Sequence, residues 1–414
     1  MPYTVAGIDI HKKVLMVVVA KQVAGQTEHD VQRHRFGTSS SDLHRLTAWL
    51  GEHGVEEAVM ESTAQYWRPV WYELEPHMRL QLAQAFSNRA PRGRKHDFRD
   101  AERLVRRLLA EELILSFVPQ PEQRAWRVLT RAKVQLARDR VRLHNQVEAL
   151  LEEMRIKLSS LLSDLFGVSG LRILRALAEG ETDAKKLAAL GDQRLHCTEE
   201  QLVDALSPTP RPIHQKLLTH FLDRLQLVDK QIAELNRETA EAMREHGDAV
   251  VRLAEVPGFG ADSAQQVIAE VGVQASTFPS AAHLASWVGT NPGRQESAEQ
   301  NQSSRSAKGN KFVRRILTEA AQAAVKTKGS HFQVVFRRLL PRLGYQQALW
   351  AIAHRLCRVV WKILHEGVHY IEQGAQRDPK ALKQRMYTMA RSLRQLGYNV
   401  NLEVTTPNPG LATS

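Results

Sequence analysis

Residues 5–20 read VAGIDIHKKVLMVVVA. Two apolar runs flank a short charged patch, and Asp9 lies inside the first run rather than beyond it. Length and β-branched content make both runs strands, joined by the short HKK link. A carboxylate among the Val, Ala and Ile residues of a buried strand is unfavourable unless something compensates its charge. Asp9 therefore needs a partner from elsewhere in the chain or from a bound cation.

Working outward, VQRHRFGTS supplies a third strand. SSSDLHRLTAWLGEHG follows, with a Ser/Asp start, apolar residues at helical spacing and a closing Gly, so it predicts a helix. EEAVMEST is a short apolar strand ending at Glu61. QYWRPVWYELEPHM predicts a second helix with Pro69 in its first turn or at a kink. RLQLAQAFS reads as another strand and FRDAERLVRRLLAEE as an amphipathic helix. Three strands followed by helix, strand, helix, strand, helix is the order of the ribonuclease H-like fold, assigned to residues 1–118. Order gives the fold by analogy and leaves function open.

Residues 119–250 turn helical and charged. Leu218, Phe221, Leu225, Val228, Ile232 and Leu235 alternate spacings of three and four, which predicts a coiled-coil or long-hairpin seam. Leu129, Leu136, Leu143 and Leu150 fall at strict sevens, with charged companions. Shorter helices and turns are expected between these stretches. A mainly helical third domain spans 251–372, and 373–414 holds one more helix and a disordered tail. The fold class is thus α/β plus all-α.

Composition bounds the function. Hydrophobic content of 43% with 25% charged residues describes a soluble globular protein, and no apolar run is long enough for a membrane span. The N-terminus shows no secretory pattern, so a cytoplasmic, nucleoid-associated location is expected. Cys197 and Cys357 lack CxxC spacing, which excludes a disulfide framework or a Cys-based zinc module. Fifty-seven Lys and Arg against 45 Asp and Glu give a net charge of +12 and a pI near 9.8. The excess is clustered at 87–107, which includes Arg92, Arg94 and Lys95, and at 331–362, which carries no acid. Such clusters read as phosphate-binding footprints, with a solvated basic face as the bland alternative.

Asp9 and Glu61 both fall at or near the carboxyl ends of strands, the edge where open sheets place their sites. Asp97 and Asp100 are spaced i, i+3 and share a helix face if the helix has begun there. Converging carboxylates repel one another unless a cation neutralises them, and hard oxygen ligands beside basic residues favour Mg²⁺, with Mn²⁺ as an alternative. Acids at a helix start also serve simply as caps.

Two later motifs carry weaker signals. VPGFGADSAQQVIAEVG resembles a helix–hairpin–helix, whose turn at Gly258 and Gly260 can offer N–H groups to a phosphate; a plain packing corner fits nearly as well. The loop after Pro292 holds Ser297, Ser303, Ser304, Arg305, Ser306, Lys308, Asn310 and Lys311, ahead of a helix carrying Arg314 and Arg315. A serine here could act as a nucleophile, although Ser-rich loops more often lack catalytic roles.

Taken together, GIDIHK, the strand-terminal MES, GRKHDFRDAERL, VPGFG, GTNPGRQESA and AKGNKFVRRILTEAA resemble, in order, the DEDD transposases of the insertion-sequence one-ten family. These are bridge-RNA-guided recombinases, and the likeness covers nearly the whole chain. It implies a RuvC-like metal-dependent domain at 1–118, a coiled-coil middle at 119–250 and a C-terminal transposase domain at 251–372. It places Asp9, Glu61, Asp97 and Asp100 on the family's acidic positions, implying Mg²⁺. Ser297, in QESA, falls on the family's catalytic serine, implying a covalent phosphoserine link to DNA. A structured guide RNA and a homodimer or homotetramer are implied as partners of the DNA-bound protein. Two departures stand out: SAEQN lacks the glycine the family carries after the serine, and KHD replaces the more usual KTD. The alternatives are a RuvC-like Holliday-junction endonuclease, which would not need Ser297, and a non-catalytic nucleic-acid-binding protein, which would not need Asp9.

Overall fold

The computed structural model describes residues 3–22, 30–62, 64–85, 98–192, 194–291, 295–297, 300–303, 306, 308–372 and 379–400. The chain divides into two compact units, Met1–Pro119 and Gln120–Ser414.

In the first unit, β1 (Tyr3–Ile10), β2 (Leu15–Gln22) and β3 (Asp30–Phe36) form an antiparallel meander. α1 (Ser40–Glu52), β4 (Glu57–Glu61), α2 (Trp67–Leu74), β5 (Arg79–Ala83) and α3 (Arg99–Leu109) complete it. β4 pairs parallel to β1, and β5 parallel to β4, giving the sheet order β3-β2-β1-β4-β5. This small mixed sheet in an otherwise mostly helical chain is consistent with a ribonuclease H-like domain. Pro69 occupies the first turn of α2, where its missing N–H leaves no helical bond unmade.

β1 lies at the centre of the sheet and is covered on both faces, which is why its sequence is an almost unbroken apolar run. Strand alternation sorts its side chains. Ala6, Ile8 and Ile10 join Leu46 and Leu50 of α1 and Leu74 of α2 in one core. Val5 packs on the opposite face with Ala101 and Val105 of α3. Gly7 also lies on that face, and a Cβ there would stand 2.3 Å from the Ala101 carbonyl oxygen. A glycine is what lets α3 rest directly on the β1 backbone.

The second unit is built on two long helices, α4 (Pro121–Glu153) and α9 (Pro212–Ala242), each opened by a proline at its first position. They run antiparallel. Trp126 Nε1 donates to the Ala242 carbonyl at 3.1 Å, Lys133 Nζ to Asn236 Oδ1 at 2.9 Å, and Arg140 approaches Asp229 at 3.5 Å. At the far end Glu153 meets Arg211 and His214. Leu218 and Leu225 of the heptad positions are buried, whereas Phe221, Val228, Ile232 and Leu235 are half-buried. Between the long helices lie α5 (Leu158–Leu161), α6 (Val168–Ala178), α7 (Ala184–Ala188) and α8 (Glu199–Leu206), which share an apolar cluster with Val147, Leu150 and Leu218.

α10 (Gly247–Ala254), α11 (Ala261–Val271), α12 (Ala281–Val288), α13 (Lys311–Lys326), α14 (His331–Glu366) and α15 (Pro379–Gln395) follow. α14 is broken at Gly344, whose φ of 72° no helix accommodates. These helices close around one core that includes Leu253, Ile268, Leu317 and Leu356, and Trp126 of α4 and Met243 belong to it as well. Where the sequence predicts only a loop, β6 (Gln295–Ser297) pairs antiparallel with β7 (Gln300–Ser303). All seven of these residues are polar, so no apolar alternation announces the pairing. Among the described residues no helix is long and apolar enough to cross a membrane.

Candidate active site

The alternation that buries Val5 and Gly7 against α3 carries Asp9 to the same face of the sheet. On β4, Val59 packs with Leu104 of α3, so Glu61 lies on that face too. Ile8 sits opposite Met60 in the parallel register, which brings the two acids to the carboxyl ends of neighbouring strands. Asp100 opens α3 above them, and Gly7 fixes how closely that helix approaches.

The electrostatics record this convergence. Burial pushes the Asp9 carboxyl above the usual carboxylate range; the nearby His11 pulls it down, and Asp100 pushes it up. Burial also raises Glu61, followed by the charge of Asp9, with Arg103 opposing and Asp100 adding. His11 Nε2 lies 3.2 Å from Asp9 Oδ2, and Arg103 Nη1 lies 2.7 Å from Asp100 Oδ1. Arg103 keeps a buried Nε without a hydrogen-bond partner. Of these two half-buried carboxylates, Asp9 is raised by burial and by Asp100, and Glu61 by burial, by Asp9 and by Asp100. Among the described residues they are offset by His11 and Arg103, and they fit a divalent cation bound through hard oxygen ligands. Among the described residues no three acid, histidine or cysteine side chains group closely enough to hold an ion. Asp97, the fourth acid expected from the sequence, lies outside the described residues, as do Arg92, Arg94 and Lys95.

In the second unit, Ser297 ends β6 opposite Gln300, and Ser303 ends β7 opposite Gln295. Ser304 and Arg305 lie outside the described residues. The loop returns to α13 through Asn310, whose Oδ1 accepts from the Phe312 and Val313 N–H groups at 2.9 and 3.0 Å. That cap starts the helix. A cleft of about 510 Å³ opens beside it, lined by Ser306, Lys308, Lys311, Arg314, Arg315 and Trp350 among others. Arg314 donates to the Gly289 carbonyl and, at 3.1 Å, to Ser306 Oγ, while its guanidinium lies 4.6 Å from the Trp350 ring centre. Arg315 donates to Gln266 Oε1 at 2.6 Å. Lys308 and Lys311 are exposed. The arginines are fixed by protein partners and the lysines remain presented to solvent, an arrangement suited to an oxyanion.

Beneath this cleft lies Glu270, which is 2% exposed. Arg131 grips it with two bonds of 2.7 and 2.8 Å, Arg127 stands 3.6 Å away, and Asn310 Nδ2 donates to it at 2.9 Å. One buried carboxylate thus ties α4 and α11 to the residue that caps α13. The VPGFG turn serves packing at one glycine: Gly258 has a φ of 93°, and a Cβ on it would stand 2.1 Å from the Ala320 carbonyl oxygen. Gly260 caps α11, with open space where a Cβ would be.

His11, Arg103, Glu270 and Trp350 were not legible as site residues from the sequence. Arg103 carried a usable signal, since it stands i+3 from Asp100 on one helix face. Glu270 carried none, because its partners come from residues far away in the chain.

Comparison with known proteins places these features in a family. Residues 6–156 match the model of the IS110 DEDD transposases, and residues 250–336 match that of the transposase IS116/IS110/IS902 family. A probable family 20 transposase of Pseudomonas aeruginosa is 28% identical over 374 residues, covering 88% of this chain and 97% of the relative. The first match spans the acidic residues and runs on through α4, and the second spans the serine loop and α13. The two family models and this relative together support an IS110-family DEDD transposase.

Proposed function

We propose that this transposase excises and inserts its own element by cutting and rejoining DNA strands, using a RuvC-like acidic site and the serine loop. The observation that carries the reading is the meeting of Asp9 and Glu61 at adjacent strand ends beneath Asp100, where burial raises both carboxyls, Asp100 adds to each and Asp9 raises Glu61 further. Asp9, Glu61, Asp100 and Asp97 would hold Mg²⁺ or Mn²⁺, which supplies charge neutralisation at a phosphodiester. Ser297 is the nucleophile: its Oγ bonds to phosphorus as a DNA oxygen leaves, and a second DNA hydroxyl later displaces it to restore the phosphodiester. Lys308, Lys311, Arg314 and Arg315 hold the phosphates near the loop. Arg92, Arg94, Lys95, Arg305, Gly258, Gly260 and Asn310 complete the nucleic-acid-binding set. A structured guide RNA selects the DNA sites, and a homodimer or homotetramer carries out the exchange.

The test is an excision assay in cells, with the gene in its native flanking DNA and the circular junction scored by sequencing. Wild type is expected to form the junction. Ser297→Ala and Asp9→Ala, expressed at equal level, are expected to form none. Junctions from Ser297→Ala would move the nucleophile to Ser303 or Ser304. Hydrolysed ends without joining, unaffected by that substitution, would support a junction endonuclease instead.

A further inference from the structure

We infer that the outer face of α15 is a binding surface for single-stranded nucleic acid, separate from the acidic site and the serine-loop cleft. The inference rests on the proposed nucleic-acid function for the class of partner, and on the geometry of this helix for the place.

α15 reads PKALKQRMYTMARSLRQ, with five basic residues and no acid. Its inner face is committed to the protein body. Ala390, Leu393 and Leu396 are buried, Met389 packs beside them, and Arg385 donates to the Glu255 carbonyl at 2.6 Å. Just beyond the helix, Tyr398 Oη accepts from Gln265 Nε2 at 2.6 Å. The helix therefore cannot roll, and its opposite face is presented in one orientation.

That face carries Lys383, Gln384, Tyr387, Thr388 and Arg391, which line an open hollow of about 420 Å³. Spacings of three and four bring them onto one stripe. Tyr387 is 61% exposed and Met386 40%. A large aromatic ring left in water between two cations has no packing role here. The same grouping is what a single strand needs, with cations on its phosphates and a flat ring against one base. A duplex hides its base faces and would meet only the charges. Charge complementarity and the bare ring together select a single strand over a duplex or a protein partner.

The experiment uses the full-length protein and a labelled oligothymidylate carrying one 4-thiothymidine, crosslinked by long-wave light and mapped by mass spectrometry. The expected result is a crosslinked peptide from 383–394, competed by unlabelled single strand and poorly by duplex. Tyr387→Ala should lower that crosslink on the order of tenfold, whereas Tyr387→Phe, which keeps the ring, should preserve it. Lys383→Gln with Arg391→Gln should reduce the salt dependence of binding by about 0.7 in log–log slope per lost phosphate contact. Because these side chains are exposed, an unchanged melting curve will show that the variants are folded. Crosslinks confined to other parts of the chain would overturn this inference and leave the proposed function standing. Absence of any nucleic-acid binding would overturn both. Equal loss in Tyr387→Ala and Tyr387→Phe would remove stacking, and an altered oligomeric state in the variants would assign the face to a second copy of the chain.

Discussion

Asp9 is held where its charge is unfavourable, and the proposed metal site would supply the compensation that its neighbours do not. Its partners are a histidine at the strand end and an arginine shared with Asp100, while Glu61 lies on the adjoining strand. Asp9→Asn removes one charge from this group and keeps its shape. In protein stripped of divalent ions the variant should melt a few degrees higher than wild type, the shift that ~1 kcal/mol produces in a chain of this size. Excess Mg²⁺ should then raise the wild-type melting temperature and leave the variant unmoved. Differential scanning calorimetry reads both, and a variant that melts lower without metal would refute the repulsion argument. A second titratable residue gives a pH prediction of fixed sign. Burial, then its bond to Glu57, pushes the Tyr3 phenol from 10.0 up to about 12. A group raised on folding favours the native state fully below its unfolded pKa, and the contribution disappears as pH climbs through the folded one. Tyr3 should therefore support the fold up to about pH 10 and lose that support towards pH 12. Tyr3→Phe should flatten the alkaline limb of the stability curve, measured by urea unfolding at stepped pH.

At the scale of elements, two contacts set where the functional groups stand. α3 reaches β1 only because residue 7 has no side chain, so Gly7→Ala must force the helix outward or strain the strand. Overpacking of this kind costs about 1–3 kcal/mol, and Asp100 would be displaced from Asp9 along with the helix. The Glu270 hub makes the matching prediction for the second unit. Glu270→Ala leaves Arg131 and Arg127 facing a buried void and frees Asn310, a loss of about 3–5 kcal/mol for a broken buried pair. Denaturant titrations followed by tryptophan fluorescence check both substitutions. These contacts also mark the limits of reading the sequence. All eight elements of the first unit were legible, because strand runs and amphipathic helices carry their periodicity locally. The positions of Asp9 and Glu61 at strand ends and of Asp100 at a helix start were legible because those are themselves local features. The β6–β7 pair was not, since QES and QNQS bond through backbone without an apolar pattern. Gly7 carries no local signal of its role, because the contact that requires it is with a helix about a hundred residues away.

For the whole molecule, the separation into two units is an energetic statement as well as a geometric one. Among the described residues, the apolar clusters of the sheet and its helices draw on the first unit, and those of the long and C-terminal helices on the second. Residues that share no core have no reason to unfold together, so the chain should depart from two-state behaviour. Full-length protein is expected to show two melting transitions by calorimetry. Gly7→Ala should lower one and Glu270→Ala the other, and the double variant should show both shifts unchanged, since sites with no common partners add. Mg²⁺ should move only the transition that Gly7→Ala moves, because every acid assigned to the ion belongs to the first unit. A single transition shifted by both substitutions would mean that the units stabilise one another and that the acidic site and the serine loop are energetically one assembly. Two independent transitions would mean that the protein alone leaves the acidic site and the serine loop energetically uncoupled.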